Sequence, residues 1–265
     1  MLERQVYRVV ACNLAKNSEN KMHDDTVARR FGFAGGLVAG VDVFAYMNHL
    51  PVVRWGRAFL ERGVMEARFT KPVYDGETID VLAEETADGL AITVESRGEV
   101  CATGHAALPG AAPQFRLDDF PVTTAVAQRV PVSEASYAEG SWLGIPPFRQ
   151  GLEAMNEYLR GIREEEPLFR REAIVHPGML LRMMNWALMQ NAILGPWIHV
   201  GNTVQYLGVA AATDDLTVRA KVTANYERKG HRFVELDGVI VANARTLVAH
   251  CHYVAIYQPR AAAAA

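Results

Sequence analysis

Two apolar runs, each entered through a glycine-punctuated approach, organise the hydrophobic pattern of this chain. Gly35-Gly36-Leu37-Val38-Ala39-Gly40-Val41 opens a run through Met47, and Ile174-Val175-His176-Pro177-Gly178-Met179-Leu180 opens a second through Met189. The longer stretch 31–53 contains Asp42, Asn48, His49 and Pro51, which are costly in lipid, so it reads as a buried soluble helix. From Met179 to Met189 only Arg182 and Asn185 interrupt the apolar pattern, which predicts a helix buried on most of its faces. Strand-like segments follow the first run at Val64–Pro72, Glu77–Glu84, Leu90–Ser96 and Glu99–Leu108, with Asp75-Gly76, Asp88-Gly89 and Arg97-Gly98 as turns. After the second run come Trp197–Leu207, Asp215–Tyr226, Arg232–Leu236, an Asp237-Gly238 turn, Val239–Val241 and Thr246–Tyr257.

A helix followed by an antiparallel meander therefore occurs twice. Laying Val100–His105 over Leu247–His252 places Ala102 on Ala249 and His105 on His252. Pro109–Pro113 and the polar stretch to about Pro147 read as a connection between the halves. The expected organisation is residues 1–110, a linker at 111–147 and residues 148–260. Periodicity alone gives an α+β protein with antiparallel sheet. The repeat around an all-round apolar helix sharpens this to a double hotdog, two curved antiparallel sheets each wrapped around a long central helix.

The chain has 265 residues, 50% of them hydrophobic and 22% charged, enough for a substantial core and too apolar for wholesale disorder. A net charge of -3 with no run of Lys or Arg argues against nucleic acid as a partner. Cys12, Cys101 and Cys251 are too few for a disulfide framework and fit a reducing cytoplasm. Met1–Gln5 carries charge without the apolar core of a secretory signal, so neither export nor membrane insertion is expected. Ala261–Ala265 is low in complexity and carries no functional argument. Pairing through sheet edges into a homodimer is a further expectation.

Asn20-Lys21-Met22-His23-Asp24-Asp25, followed by Ala28, Gly32-Phe33 and the Gly35–Gly40 approach, resembles the MaoC-like dehydratases and (R)-specific enoyl-CoA hydratases. That family carries an Asp-x-Asn-Pro-x-His loop before its hotdog helix; here Asn20 and His23 match, while Ser18 and Lys21 replace its Asp and Pro. Phe69–Glu77 is similar to the segment with which the family's sheet turns. The resemblance implies hydration of a 2-enoyl thioester, or the reverse dehydration, on coenzyme A or a carrier protein. His23 and Asn20 would lie in the site and the Gly40 amide would be the oxyanion donor. It implies no metal or other cofactor beyond coenzyme A as part of the substrate. In the second half Glu164–Glu166 occupies the loop position and Phe169 the place of the histidine, so that half is expected to lack the acid/base pair.

Several residues compete for the missing carboxylate: Glu19, Asp24, Asp25, and Glu164–Glu166 approaching across the pseudo-twofold. Asp24 and Asp25 read more simply as caps of a short helix at Thr26–Phe31, and Glu164–Glu166 as a solvated acidic turn. Asp42 carries a rival thioesterase reading as base or nucleophile, against the plainer reading of a charge on the one solvent-facing or interface-facing stripe. A third reading is a non-catalytic acyl-CoA-binding protein. His250-Cys251-His252 alternates along a strand with no third ligand in view, which favours a structural role. Trp197, Ile198, His199 and the Met-rich helix are candidates to line an acyl tunnel, and Arg54, Arg57, Arg170 and Arg171 to meet coenzyme A phosphates.

Overall fold

The computed structural model describes residues 4–260. The first half runs β1 (Arg4–Val10), a 3-10 turn at Lys21–His23, α1 (Asp25–Arg30), α2 (Gly40–Trp55), α3 (Arg57–Arg62), β2 (Val64–Phe69), β3 (Thr78–Glu85), β4 (Leu90–Ser96) and β5 (Glu99–Ala107). The second half runs β6 (Trp142–Gly144), α4 (Leu152–Gly161), α5 (Pro167–Arg171), α6 (Pro177–Met189), β7 (Ile198–Tyr206), β8 (Leu216–Arg228), β9 (His231–Ala242) and β10 (Thr246–Gln258). All ten strands form one antiparallel sheet in the order β1-β3-β4-β5-β2-β7-β10-β9-β8-β6. The expected pair of separate sheets is thus a single one, because β2 and β7 hydrogen-bond to each other and close the gap between the halves. Helices α2 and α6 pack on the same sheet and on each other.

The strand order reads identically from either end once the halves are exchanged, so the molecule has an internal pseudo-twofold. Its axis passes through the seam where Glu66 faces Thr203, with Val64 opposite Gln205 and Arg68 opposite Gly201. One numbering offset relates the halves from the helix approaches through the seam. It carries Leu37 to Ile174 and their bridge partners Tyr74 to Ala211. The overlay of the last strands holds as well: Ala102 pairs with Phe69 and Ala249 with Tyr206, while His105 pairs with Glu66 and His252 with Thr203.

Four elements depart from the sequence reading. Asp237-Gly238 is not a turn but the middle of β9. A side chain at Gly238 would meet Ala220 Cβ at 2.8 Å, so the glycine serves a close approach of two strands. Asp237 instead accepts from His250 on β10 at 2.8 Å. The segment expected as linker contains β6, which pairs with β8 as β1 pairs with β3. Strand β1 and helix α4 were not among the expected elements, although Met155, Tyr158 and Leu159 recur at helical spacing and form the buried face of α4.

Both central helices are buried nearly all round, as an apolar pattern without a polar face requires. Each turns one charge inward, and these meet: the buried Asp42 on α2 bonds the half-buried Arg182 on α6, with Tyr158 of α4 also donating to Asp42 at 3.4 Å. A buried pair stabilises little against an apolar substitute, yet breaking it strands a charge in low dielectric. Arg182→Met is expected to lower the free energy of unfolding in urea by roughly 3–5 kcal/mol. Adding Asp42→Leu to it should recover most of the loss; a single variant as stable as wild type contradicts the pairing.

Candidate active site

The site begins at the loop that ends in the 3-10 turn Lys21–His23. Asn20 caps this turn and uses its whole amide. Its Oδ1 accepts from the Met22 and Trp197 amides, each at 3.1 Å. Its Nδ2 donates to the Trp197 carbonyl at 2.9 Å and lies 3.2 Å from His23 Nε2. Asn20 therefore pins the first-half loop to the segment entering β7. His23 Nδ1 lies 2.7 Å from the Leu37 carbonyl and must donate to it, which leaves the Nε2 lone pair to accept from Asn20. Burial is the main influence on His23 and pushes its pKa below the ordinary 6.5, so the neutral form dominates at neutral pH.

Glycines make this packing feasible. A Cβ at Gly36 would sit 2.2 Å from the His23 carbonyl oxygen, so the approach to α2 can lie against the His23 loop only with glycine there. Asp25 Oδ1 accepts from the Gly36 amide at 2.8 Å and holds the two segments together. Asp24 accepts from the Val27 amide at 3.0 Å and caps α1, as expected of it.

Between this loop, the start of α2 and the entry to β7 lies a cavity of about 200 Å³. Asn20, His23 and Gly40 all line it, so the three residues predicted from sequence meet in one place. The opposite wall belongs to the second half: Trp197, Ile198 and His199 from the start of β7, and Asn185 from α6. The methionines of α6 are core and do not line it. Ala39, the N-cap of α2, has no side-chain acceptor, so the first amides of the helix are left for a ligand.

His199 faces inward because of a bulge. Gly201 pairs with Val254 but His199 with Ala255, so Val200 is the extra residue and the alternation that buries Val204 and Asn202 resumes one position out of phase at His199. The imidazole stacks on Tyr253 at 4.4 Å, and its Nε2 donates to the Gly201 carbonyl at 3.1 Å. Its Nδ1 has no partner and faces Gly40, where a Cβ would come within 2.9 Å. Burial pushes its pKa down to about 3, so it stays neutral. Sequence reasoning named His199 only as tunnel lining; a one-residue bulge leaves no mark in periodicity.

No carboxylate lines the cavity among the described residues. Glu19 pairs with Arg129 at 2.8 Å on the surface, and Ser18 donates to the Asn20 carbonyl at 3.3 Å. Glu164 is not in a solvated turn and does not approach His23. It is buried, 2.8 Å from His49 Nδ1 and 3.5 Å from His176 Nε2. The amide of Leu37 bonds the Met22 carbonyl and that of Ile174 bonds the Phe169 carbonyl, so Phe169 stands in the place of Met22 rather than of His23. In the second half the offset also puts His176 in place of Ala39 and Pro177 in place of Gly40. The His176 ring accepts from the Gly178 amide at 3.1 Å, and Pro177 has no N–H to give. Asp42 is taken up by Arg182 and lines no part of the cavity. Arg54, Arg57 and Arg171 are paired with Glu85, Glu61 and Glu172, and Arg170 donates to the Glu164 carbonyl.

The cavity opens beside a wider groove, sharing Phe69, Thr70, Val200 and Ile256 with it. Arg68, Arg228 and Lys229 border this groove, and none has a carboxylate partner among the described residues. Two of these cations sit at the β8–β9 hairpin, whose 13- and 12-residue strands outreach the 8- and 7-residue β3 and β4. No helix among the described residues is long and apolar enough to cross a membrane.

No family model matches the chain, and no curated protein matches it. Solved structures do. The Mycobacterium tuberculosis protein RV0216, described as having a double hotdog fold, aligns with a TM-score of 0.66 at 13% identity over 97% of this chain and 96% of its own. A chain assigned as a MaoC domain dehydratase from Chloroflexus aurantiacus gives 0.63 at 12% over 98% and 96%. One assigned as an oleoyl thioesterase from Lactobacillus plantarum gives 0.51 at 7% over 98% of each. At these identities the likeness shows the fold, a double hotdog along the whole chain, and that fold houses both dehydratases and thioesterases.

Burial raises the pKa of Glu164, but hydrogen bonds from His176 and His49 outweigh it and hold the carboxyl below its ordinary 4.5. A group depressed on folding contributes stability that is complete above its unfolded pKa and is lost as pH falls. Glu164→Gln should therefore be less stable than wild type at pH 7, with the difference shrinking below about pH 4.5 in thermal melts across pH. Parallel pH curves for the two proteins contradict the assignment.

Proposed function

We propose that this double hotdog protein is an acyl-thioester hydratase or dehydratase acting on a short 2-enoyl or 3-hydroxyacyl chain. The observation that carries the proposal is the meeting of His23, Asn20 and Gly40 around one mostly apolar cavity. A void of about 150 Å³ holds a benzene-sized guest. The 200 Å³ here therefore suits an acyl group of about four to six carbons better than a long one.

In the hydration direction, the neutral His23 Nε2 takes a proton from water as the water oxygen bonds C3. The electrons of the C2=C3 bond move toward the thioester carbonyl, whose oxygen gains charge beside the Gly40 amide at the head of α2. The imidazolium then returns its proton to C2, so water is added and His23 is regenerated. Asn20 holds the ring at the reacting edge and yields its bond to Nε2 when water enters. The base acts without a carboxylate partner, so turnover slower than a paired His–Asp site would give is expected. The groove cations Arg68, Arg228 and Lys229 are the candidates to meet the phosphates of coenzyme A, which their position in the groove beside the cavity supports, and the scheme calls on no other cofactor.

The absence of a carboxylate from the cavity favours, as a second reading, an acyl-thioester-binding protein without turnover. Loss of absorbance of crotonyl-CoA separates the two. The hydratase reading predicts turnover that falls by about 10²–10⁴-fold in His23→Ala, with an acid limb below pH 6.5. Thermal stabilisation by butyryl-CoA with no consumption of crotonyl-CoA supports the binding reading instead. Release of free thiol from butyryl-CoA would sink both in favour of a thioesterase.

A further inference from the structure

The pseudo-twofold supplies an internal comparison inside the two central helices. Asn48 on α2 and Asn185 on α6 are mates under the offset that relates the halves, and each accepts from a buried tyrosine at 2.6 Å: Asn48 from Tyr206 and Asn185 from Tyr253. There the likeness ends. Asn48 spends its amide nitrogen on the Phe44 carbonyl at 2.8 Å and is sealed in the core. Asn185 has no acceptor for its amide nitrogen, although the residue is more than nine-tenths buried. That nitrogen is also not among the occluded unpartnered atoms, so it keeps accessible surface, and the space Asn185 borders is the cavity. A buried amide group turned to an apolar cavity without a partner is destabilising unless something occupies it.

Its position says what. Helices α2 and α6 run in opposite directions: Gly178 abuts Ala45, while Arg182, one turn later on α6, reaches Asp42, one turn earlier on α2. One further turn along α6 brings Asn185 level with Ala39 and Gly40, and all three line the same cavity. The Asn185 amide and the uncapped start of α2 thus border the same cavity, where a thioester oxygen would lie. Tyr253 fixes its orientation, and the same tyrosine ring stacks on His199.

We infer that Asn185 is a second oxyanion donor, delivered by the second half to a site whose base and first donor come from the first half. This rests on the thioester reading above. The Asn185 Nδ2–H bonds the thioester oxygen together with the Gly40 amide, and the bond strengthens as negative charge develops on that oxygen. The half that lost its own chemistry at Pro177 and His176 keeps this contribution to its neighbour.

The test uses the full chain and butyryl-CoA labelled with ¹³C at the thioester carbonyl. Infrared difference spectra of the wild type should show the bound carbonyl stretch displaced to lower frequency than in water. Asn185→Asp keeps the acceptor for Tyr253 and removes the donor; Asn185→Leu removes both. Each should lose much of the displacement, and Asn185→Asp should lower kcat on crotonyl-CoA by about 10²-fold with a far smaller change in KM. Circular dichroism and melting temperature verify that the variants fold. Equal carbonyl displacement in wild type and both folded variants overturns the inference, as does a wild type that displaces nothing. A wild type that polarises the carbonyl yet hydrates no crotonyl-CoA removes the hydratase reading and leaves the donor assignment standing.

Discussion

The pairing of β2 with β7 is the constraint on which the rest of the molecule depends. Register in a sheet is all or nothing: a slip of one residue would turn Met65, Ala67, Asn202 and Val204 outward and Glu66 and Arg68 inward. With Glu66 fixed opposite Thr203, the two meanders become one sheet and the two helices cross with Asp42 against Arg182. The start of β7 is then delivered to the Asn20 loop, whose amide closes on Trp197 from both sides. Neither half makes the cavity alone.

The halves have diverged by substitutions at equivalent places rather than by a change of fold. At the head of α2, Ala39 and Gly40 leave amides free and leave room for His199. At the head of α6, His176 caps the helix with its own ring and Pro177 deletes an amide. His176, the mate of the cavity-lining Ala39, lies 3.5 Å from the buried Glu164, which also reaches His49 at 2.8 Å. A buried carboxylate needs partners, and besides these two histidines Glu164 accepts from the Glu166 amide at 2.7 Å. One half contributes Asn20, His23 and Gly40 to the cavity; the other lends a wall.

What could be read in the sequence follows from where the physics is local. Turn residues and alternation mark Leu90–Ser96 to the residue, and the overlay of Ala102 on Ala249 carries the pseudo-twofold in the sequence itself. The cluster of Asn20, His23 and Gly40 was legible because a short loop and a helix start encode it. Asp237-Gly238 misled because a glycine required by a close strand approach looks the same as one required by a turn. Glu164 misled because its partners His49 and His176 are distant in sequence on one side and on separate elements. His199 and Asn185 stood out only as a lining candidate and as a polar break in an apolar helix; their inward aim comes from a bulge and from the crossing of two helices, which periodicity does not show.

The central claim is that both halves build one acyl-thioester site and that the mirrored position is filled. Isothermal titration of the full chain with butyryl-CoA addresses it directly. The account predicts one butyryl-CoA per chain, with the heat abolished by Val43→Phe, which fills the cavity while leaving the mirrored position untouched. Two equivalents per chain, or one equivalent bound undiminished by a folded Val43→Phe variant, would contradict it.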